Sequence, residues 1–599
     1  MNKISFSYQK KIFIFLVVIN FTSCGRNDSS GQATNSPIYS LPNGGITNDI
    51  TENNSFYFDP ILYGKNENDN ITDRVEDLTF ANDKWISDKK NFNYITSVGH
   101  IVTLDSENGK PNAKIFYIAY SLNDNSKKNR PITFVLNGGP GQTQFLSALS
   151  AFSPKTINKE EDKLVNNKHS ILEKTDLVFV SPVGTGLSSA IAPYVNKNFW
   201  GVDHDAKSMM EFILRFQEKN LRQESPIYLM GDSYGSIRAI ISAKNLYTKY
   251  MKVKGLILLS PLINYSNWLN PVGVFPTIAV NAWYHKKLSQ ELMNKPFNEF
   301  MKEVIDFTKS KYYPCLNFWR DNYKDFINLV YNNPDKDTAL LLKNLIKSSS
   351  SYDEIVLILK NGNFYQKNLA EKIEKVINLL QPMDWDLASI ASNYSNILPK
   401  IFRDLTELNY NKRPFFDLLN FHLTSLLAED NNSISAYDGR KISNYKRISF
   451  NDILQVDNDS DFLFYQNKML DLWNNLLNTE LHYYSASEFI TKNENVEKIW
   501  DFHHINAFNT LNDNIFDLNF YYDFLNLINL NSELKIFIAN GIYDSVTPFY
   551  QNVIDLKIFL SDEVIIKNIK MINYNSGHFI YLDPVSKDLL QNDIKDFYD

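Results

Sequence analysis

Short runs of β-branched and aromatic residues, broken by turn signals, begin at about Tyr94 and set the texture of the first half of the chain. Residues 95–104, 114–120 and 132–136 predict strands, with Glu107-Asn108-Gly109 as a turn between the first two, and 177–180 predicts a fourth. Residues 203–217 change period: Met209, Met210, Ile213 and Leu214 fall on one side of a helix. A strand at 227–230, a helix from about 236 to 250 and a strand at 256–259 follow. Strands alternating with helices predict a mainly parallel sheet covered on both faces.

Between about 265 and 530 the spacing becomes helical, as in 339–346, 355–359, 369–380 and 462–477, and strand signals are sparse. Strands resume at 534–539 and 564–572, and a terminal helix spans 589–597. A sheet interrupted by a helical block and then completed is a core with a cap over its edge. The expected organisation is therefore an α/β core at 54–264 and 531–599 around a helical cap insertion at 265–530. No repeat of fixed period is present.

The first residues follow another logic. Lys10-Lys11, the apolar run from Ile12 to Ile19 and small residues before Cys24 have the order of a secretory signal. The run is too short for a permanent span. Small residues directly before a cysteine resemble the lipobox of bacterial lipoproteins, with Phe21 where that box usually carries Leu. The expectation is a signal peptide at 1–23, lipidation at Cys24 and a flexible tether at 24–53, with ordinary secretion and a free Cys24 as the alternative. The protein would then sit in a bacterial cell envelope, on the periplasmic side, touching the membrane through its acyl chains only. The other cysteine is Cys315, so a disulfide framework is excluded. A net charge of -7 without a basic stripe gives no ground for a nucleic-acid partner.

Gly231-Asp232-Ser233-Tyr234-Gly235 has the G-x-S-x-G pattern of a serine on a sharp strand-to-helix turn, and a predicted strand and helix flank it. A serine hydroxyl needs a base, and the base an orienting carboxylate. In this architecture the chain order is Ser, acid, His. His578 lies beyond the last strand block and Asp544 follows strand 534–539, so Ser233, Asp544 and His578 form the candidate triad of an α/β-hydrolase fold. A developing oxyanion needs backbone donors. Gly139, in the Gly-rich loop Asn137-Gly138-Gly139-Pro140-Gly141, and Tyr234 are the candidates.

With these residues in place, the chain resembles the serine carboxypeptidase family, and its bacterial branch in particular. The resembling blocks are the Asn137 loop with Val135-Leu136 before it, Val178 to Ser188, the serine turn, Ile538 to Pro548 and Gly577-His578. Phe199-Trp200-Gly201-Val202 and Ala282-Trp283-Tyr284-His285 look like the bacterial branch. The resemblance implies removal of residues from peptide C-termini, with Asn137, Gly138 and Asp232 binding the terminal carboxylate, and no cofactor or metal. A protonated Asp232 could donate to that carboxylate, which favours turnover on the acid side. The chain departs from the family in carrying Asp232 for the usual Glu, Ala151 where eukaryotic members have a second acid, and Gln142 for a common cysteine. An esterase or acyltransferase would use the same triad; a non-catalytic binding protein would not need it intact. Oligomeric state is left open.

Four further features carry less. His503-His504 has no third metal ligand at useful spacing and reads as a structural pair. Asp203-His204-Asp205 begins a helix. Arg238 either pairs with an acid such as Asp232 or lines the pocket, and Tyr437-Asp438-Gly439-Arg440 reads as a turn.

Overall fold

Five apolar segments, β4 (Ile132–Leu136), β5 (Asp176–Val180), β6 (Ile227–Asp232), β7 (Val253–Leu259) and β8 (Lys535–Gly541), lie side by side as parallel strands. They are buried on both faces almost throughout, which is why they read as continuous hydrophobic runs rather than alternating ones. On one side the sheet ends with the parallel strand β9 (Ile569–Tyr574). On the other it continues through antiparallel β3 (Pro111–Leu122), β2 (Asn91–Leu104) and β1 (Leu78–Ile86), giving the order β9-β8-β7-β6-β4-β5-β3-β2-β1. A two-residue strand, Ser189–Ala190, pairs with β3. The computed structural model describes residues 56–380, 426, 432–443, 460–507, 511–512 and 518–599, less 88–89, 124–128, 159–161, 269, 335–336 and 350. The predicted signal sequence, Cys24 and the tether lie outside the described residues.

Helix α1 (Val202–Lys219) and α2 (Gly235–Thr248) cover one face; Met209, Met210, Ile213, Ile237, Ile240 and Ile241 share a buried cluster with the strands. The helix Pro584–Tyr598 and the segment around Phe152 cover the other. This is the α/β-hydrolase fold. Two elements differ from the sequence expectation. β1 carries Asn82-Asp83-Lys84 at its centre, so its pattern does not read as a strand. Residues 564–572 are not one strand: Ser561 caps the helix Asp562–Asn568 by accepting from the Val564 amide, and β9 starts only at Ile569. The cap and the two acids at its start outweigh the β-branched content of Val564-Ile565-Ile566.

The insertion is helical, with Pro271–Tyr284, Phe297–Phe307, Tyr313–Val330, Thr338–Ser348, Tyr352–Lys360, Phe364–Leu380 and Ser460–Asn475. Several of these helices share a third cluster, which also takes in Ile542, Tyr543, Val546 and Phe549. The chain then returns to the sheet. Leu477 and Phe489 join one of its covering clusters, and Trp500, Phe520 and Phe524 from 500–530 the other. Cys315 is a buried free thiol in the insertion cluster.

Candidate active site

Because β4, β6, β8 and β9 run parallel, the loops that follow them emerge at one sheet edge. Those loops carry Asn137–Gly141, Ser233, Asp544 and His578. Ser233 sits at the turn from β6 into α2 with φ +55°, the strained conformation that lifts a nucleophile clear of the sheet. The turn is tight enough that a methyl group on Gly235 would lie 2.2 Å from the Leu136 carbonyl oxygen.

His578 Nδ1 is 2.7 Å from Asp544 Oδ2, and both side chains are buried. Asp544 is itself fixed: Oδ1 accepts from the amides of Val546 (2.8 Å) and Thr547 (2.9 Å), and Oδ2 from the Thr547 hydroxyl (2.5 Å). Held this way, Asp544 keeps the proton on His578 Nδ1 and leaves Nε2 to act as a base. Burial works against charge on His578, but the neighbouring Asp544 and then Asp232 outweigh it, so its pKa is raised.

Ser233 and His578 are anchored to consecutive residues at the end of β7. The Ser233 amide donates to the Leu259 carbonyl (2.8 Å), and the Ser260 hydroxyl donates to the His578 carbonyl (2.6 Å). The Ser233 side chain is partly exposed and has no hydrogen-bond partner among the described residues. In unliganded hydrolases the serine–histidine contact commonly tightens only with substrate.

The Gly-rich loop lies against the serine turn. A methyl group on Gly138 would fall 2.8 Å from the Asp232 carbonyl oxygen and 3.1 Å from Ser233 Cβ. Gly139 has φ +109°. Among the described residues, neither the Gly139 nor the Tyr234 amide donates to a backbone carbonyl. Arg238 does pair with an acid, but that acid is Asp205 and not Asp232. Its Nε donates to Asp205 Oδ2 at 2.5 Å, its Nη1 donates to the Asn137 carbonyl, and its guanidinium lies 5.5 Å from the Tyr234 ring centre. Asp205 belongs to the start of α1, so α1 and α2 together hold the Asn137 loop.

Asp232 is buried beside this centre. Its Oδ2 accepts from the Tyr581 hydroxyl at 2.5 Å, while Oδ1 is buried with no partner. Burial pushes its carboxyl up to about 6; the charge of His578 and the Tyr581 hydrogen bond act the other way, and Asp544 adds to the rise.

Three contributors had little signal in the sequence. Thr547 and Tyr581 are ordinary polar and aromatic residues whose partners appear only on folding. The segment at 436–440 is more than a turn. The Tyr437 carbonyl accepts from the His578 amide (2.6 Å) and the Ala436 carbonyl from the Ser545 amide (2.9 Å). The Tyr437 ring lies edge-on to His578 at 5.4 Å. Arg440 binds Asp438, the Asn575 carbonyl and Asp583. The two histidines read as structural are so engaged: buried His504 lies 2.6 Å from Asp203 and 2.9 Å from Asp523, and His503 contacts Asp501.

A serine on a strand-to-helix turn, an Asp-bound histidine and a glycine loop at one edge of this sheet are the parts that a serine hydrolase site on an α/β-hydrolase fold requires. The serine carboxypeptidase model of the peptidase S10 family matches residues 89–557, and the chain belongs to that family. Its relatives include a pheromone-processing carboxypeptidase of Talaromyces marneffei, 26% identical over 266 residues, which are 38% of this chain and 40% of that protein. A carboxypeptidase Y homolog of Arthroderma benhamiae is 25% identical over 208 residues, 33% of this chain and 41% of the relative. The matched part is thus about two-fifths of the length of these relatives. The crystal structure of a prohormone-processing carboxypeptidase from Saccharomyces cerevisiae aligns over 88% of this chain and 92% of its own, with 16% identity and a TM-score of 0.42.

Proposed function

We propose that the protein is a serine-type carboxypeptidase that releases C-terminal residues of peptides through an acyl-enzyme on Ser233. His578 takes the serine proton at Nε2 and returns it to the leaving amine, oriented by Asp544. The amides of Gly139 and Tyr234 receive the oxyanion. Asn137, Gly138 and Asp232 hold the terminal carboxylate of the substrate. The observation that carries this reading, within the family, is the buried Asp232 next to Ser233 with one oxygen unpartnered. A carboxyl whose pKa reaches about 6 by burial is protonated in mild acid and can donate to a carboxylate there. The same acid when ionised repels the substrate, so turnover falls as the pH rises.

The helical insertion serves as a cap; support comes from its 436–440 segment, which binds both the Asp544 and the His578 loops. The bacterial affiliation and the lipid anchor at Cys24, with the catalytic domain tethered on the periplasmic side, rest on the sequence motifs alone. Among the described residues no helix is long and apolar enough to cross a membrane.

The test is a panel of blocked peptides with free or amidated C-termini, assayed from acidic to neutral pH. Release of a single terminal amino acid, abolished by amidation and strongest in acid, is expected. Equal cleavage of free and amidated peptides, or turnover confined to small esters, overturns the proposal.

A further inference from the structure

Tyr581 lies three residues past His578, on the turn Ile580–Leu582, and is buried. Its ring packs against Phe579 and Phe152, the latter 6.0 Å away on the segment that holds Ala151. Among the described residues Asp232 is the hydroxyl's sole hydrogen-bond partner. That geometry is asymmetric. One carboxyl oxygen accepts from a phenol and the other, also buried, has no hydrogen-bond partner among the described residues.

A phenol in this position has to donate. Burial, and then the Asp232 charge, raise the Tyr581 pKa well above its ordinary value, so it keeps its proton wherever the enzyme is folded. An oxygen already accepting that hydrogen bond is the poorer site for a second proton. When Asp232 takes up a proton from solvent, the proton therefore goes to Oδ1. We propose that Tyr581 is a positioning residue that fixes the proton of Asp232 on Oδ1, making that oxygen the donor to a peptide's terminal carboxylate. The step moves one proton from solvent to Oδ1, where Asp232 then shares it with the ligand. The inference rests on the carboxylate-binding reading above.

The groups that face Asp232 are Tyr581, His578 and Asp544. Their effects on the pH profile mix, and the pair Asp232–His578 titrates together. The informative comparison is between variants under the same conditions. An N-acetylated amino acid, with a free carboxylate, and its amide are titrated by calorimetry from pH 4.5 to 8 into the full-length enzyme. The wild type is expected to bind the acid and not the amide, with affinity for the acid falling as pH rises through about 6. In Tyr581→Phe, the acid should bind about tenfold more weakly at the acid end, for want of one hydrogen bond to the positioned carboxyl. The fall in affinity should also start at higher pH, because the lost bond favoured the ionised form.

Asp232→Asn gives a second, independent reading. The phenol has the amide oxygen as its acceptor, so the amide NH2 occupies the Oδ1 position and donates permanently. This variant should retain affinity for the free acid with a flat pH profile, and adding Tyr581→Phe should abolish that retention. An unchanged affinity and pH midpoint in Tyr581→Phe, or loss of the ligand in Asp232→Asn, overturns the role of Tyr581 alone. Equal binding of acid and amide by the wild type overturns the carboxylate-binding reading and this inference with it.

Discussion

Replacing Arg238 by Met tests how the Asn137 loop is held. The Arg238 and Asp205 side chains are 0% and 4% exposed, so neither charge has water to fall back on. Removing one partner of a buried pair costs about 3–5 kcal/mol, because the other charge is left uncompensated. The charge-assisted bond to the Asn137 carbonyl is worth about 1.5–3 kcal/mol, and part of it overlaps with the ion-pair loss. A total near 4 kcal/mol follows, read as the change in unfolding free energy in urea at neutral pH. Replacing both partners, Asp205→Asn with Arg238→Met, removes both charges and should recover about 2–3 kcal/mol of that loss. Burial pushes the Asp205 carboxyl upward even beside the guanidinium. Without Arg238 it protonates more readily still, so the penalty of the single variant should shrink as the pH falls. Turnover should drop about tenfold in the same protein as the Asn137 carbonyl is released. A cost below about 1 kcal/mol, independent of pH, or a double variant whose losses add, would refute the reasoning.

Other outcomes follow from the same geometry. Gly138→Ala puts a methyl group 2.8 Å from the Asp232 carbonyl oxygen and should lower kcat/KM about a hundredfold or more, measured on an activated ester, as the loop proposed to hold the oxyanion is pushed off the serine turn. Arg440→Ala cuts the ties to Asp438, Asn575 and Asp583 and should cost about 2–4 kcal/mol in urea unfolding, with kcat reduced as the His578 loop loosens. Burial opposes charge on His504, but Asp203 and Asp523 outweigh it and its pKa is raised from 6.5. A raised folded pKa gives stability that is fully present below 6.5 and lost as the pH rises through the folded value. The stability difference between wild type and His504→Asn, from urea curves, should therefore be largest near pH 5.5 and shrink towards pH 9; a difference that grows with pH would contradict the ion-pair assignment.

How much of this could be read beforehand depended on whether the signal was local. β4, β6, β7 and β8 are short apolar runs ending in glycine- or serine-bearing turns, and the period and composition of each reside in its own residues. Two members of the candidate triad were legible for the same reason, since Ser233 and Asp544 follow β6 and β8; His578 was found by its place beyond the last strand, in the order the fold demands. β1 was not legible, since an outer strand next to water can carry Asn82-Asp83-Lys84 without losing its ladder to β2. Residues 564–572 misled because three β-branched residues stand in a helix whose cap, Ser561, lies outside the apolar run. The roles of Tyr581, of Arg238 towards Asp205, and of Ala436–Arg440 could not be found at all. Their partners stand 349, 33 and more than a hundred residues away in sequence, and only the folded sheet and its insertion bring them together.

Covalent labelling by a fluorophosphonate probe, mapped by mass spectrometry of the digested enzyme, is the most direct test of the proposed nucleophile. A single adduct is expected on the peptide holding Ser233, absent in Ser233→Ala and greatly slowed in His578→Asn. An adduct on another residue, or labelling of Ser233 at an unchanged rate without His578, would contradict the account.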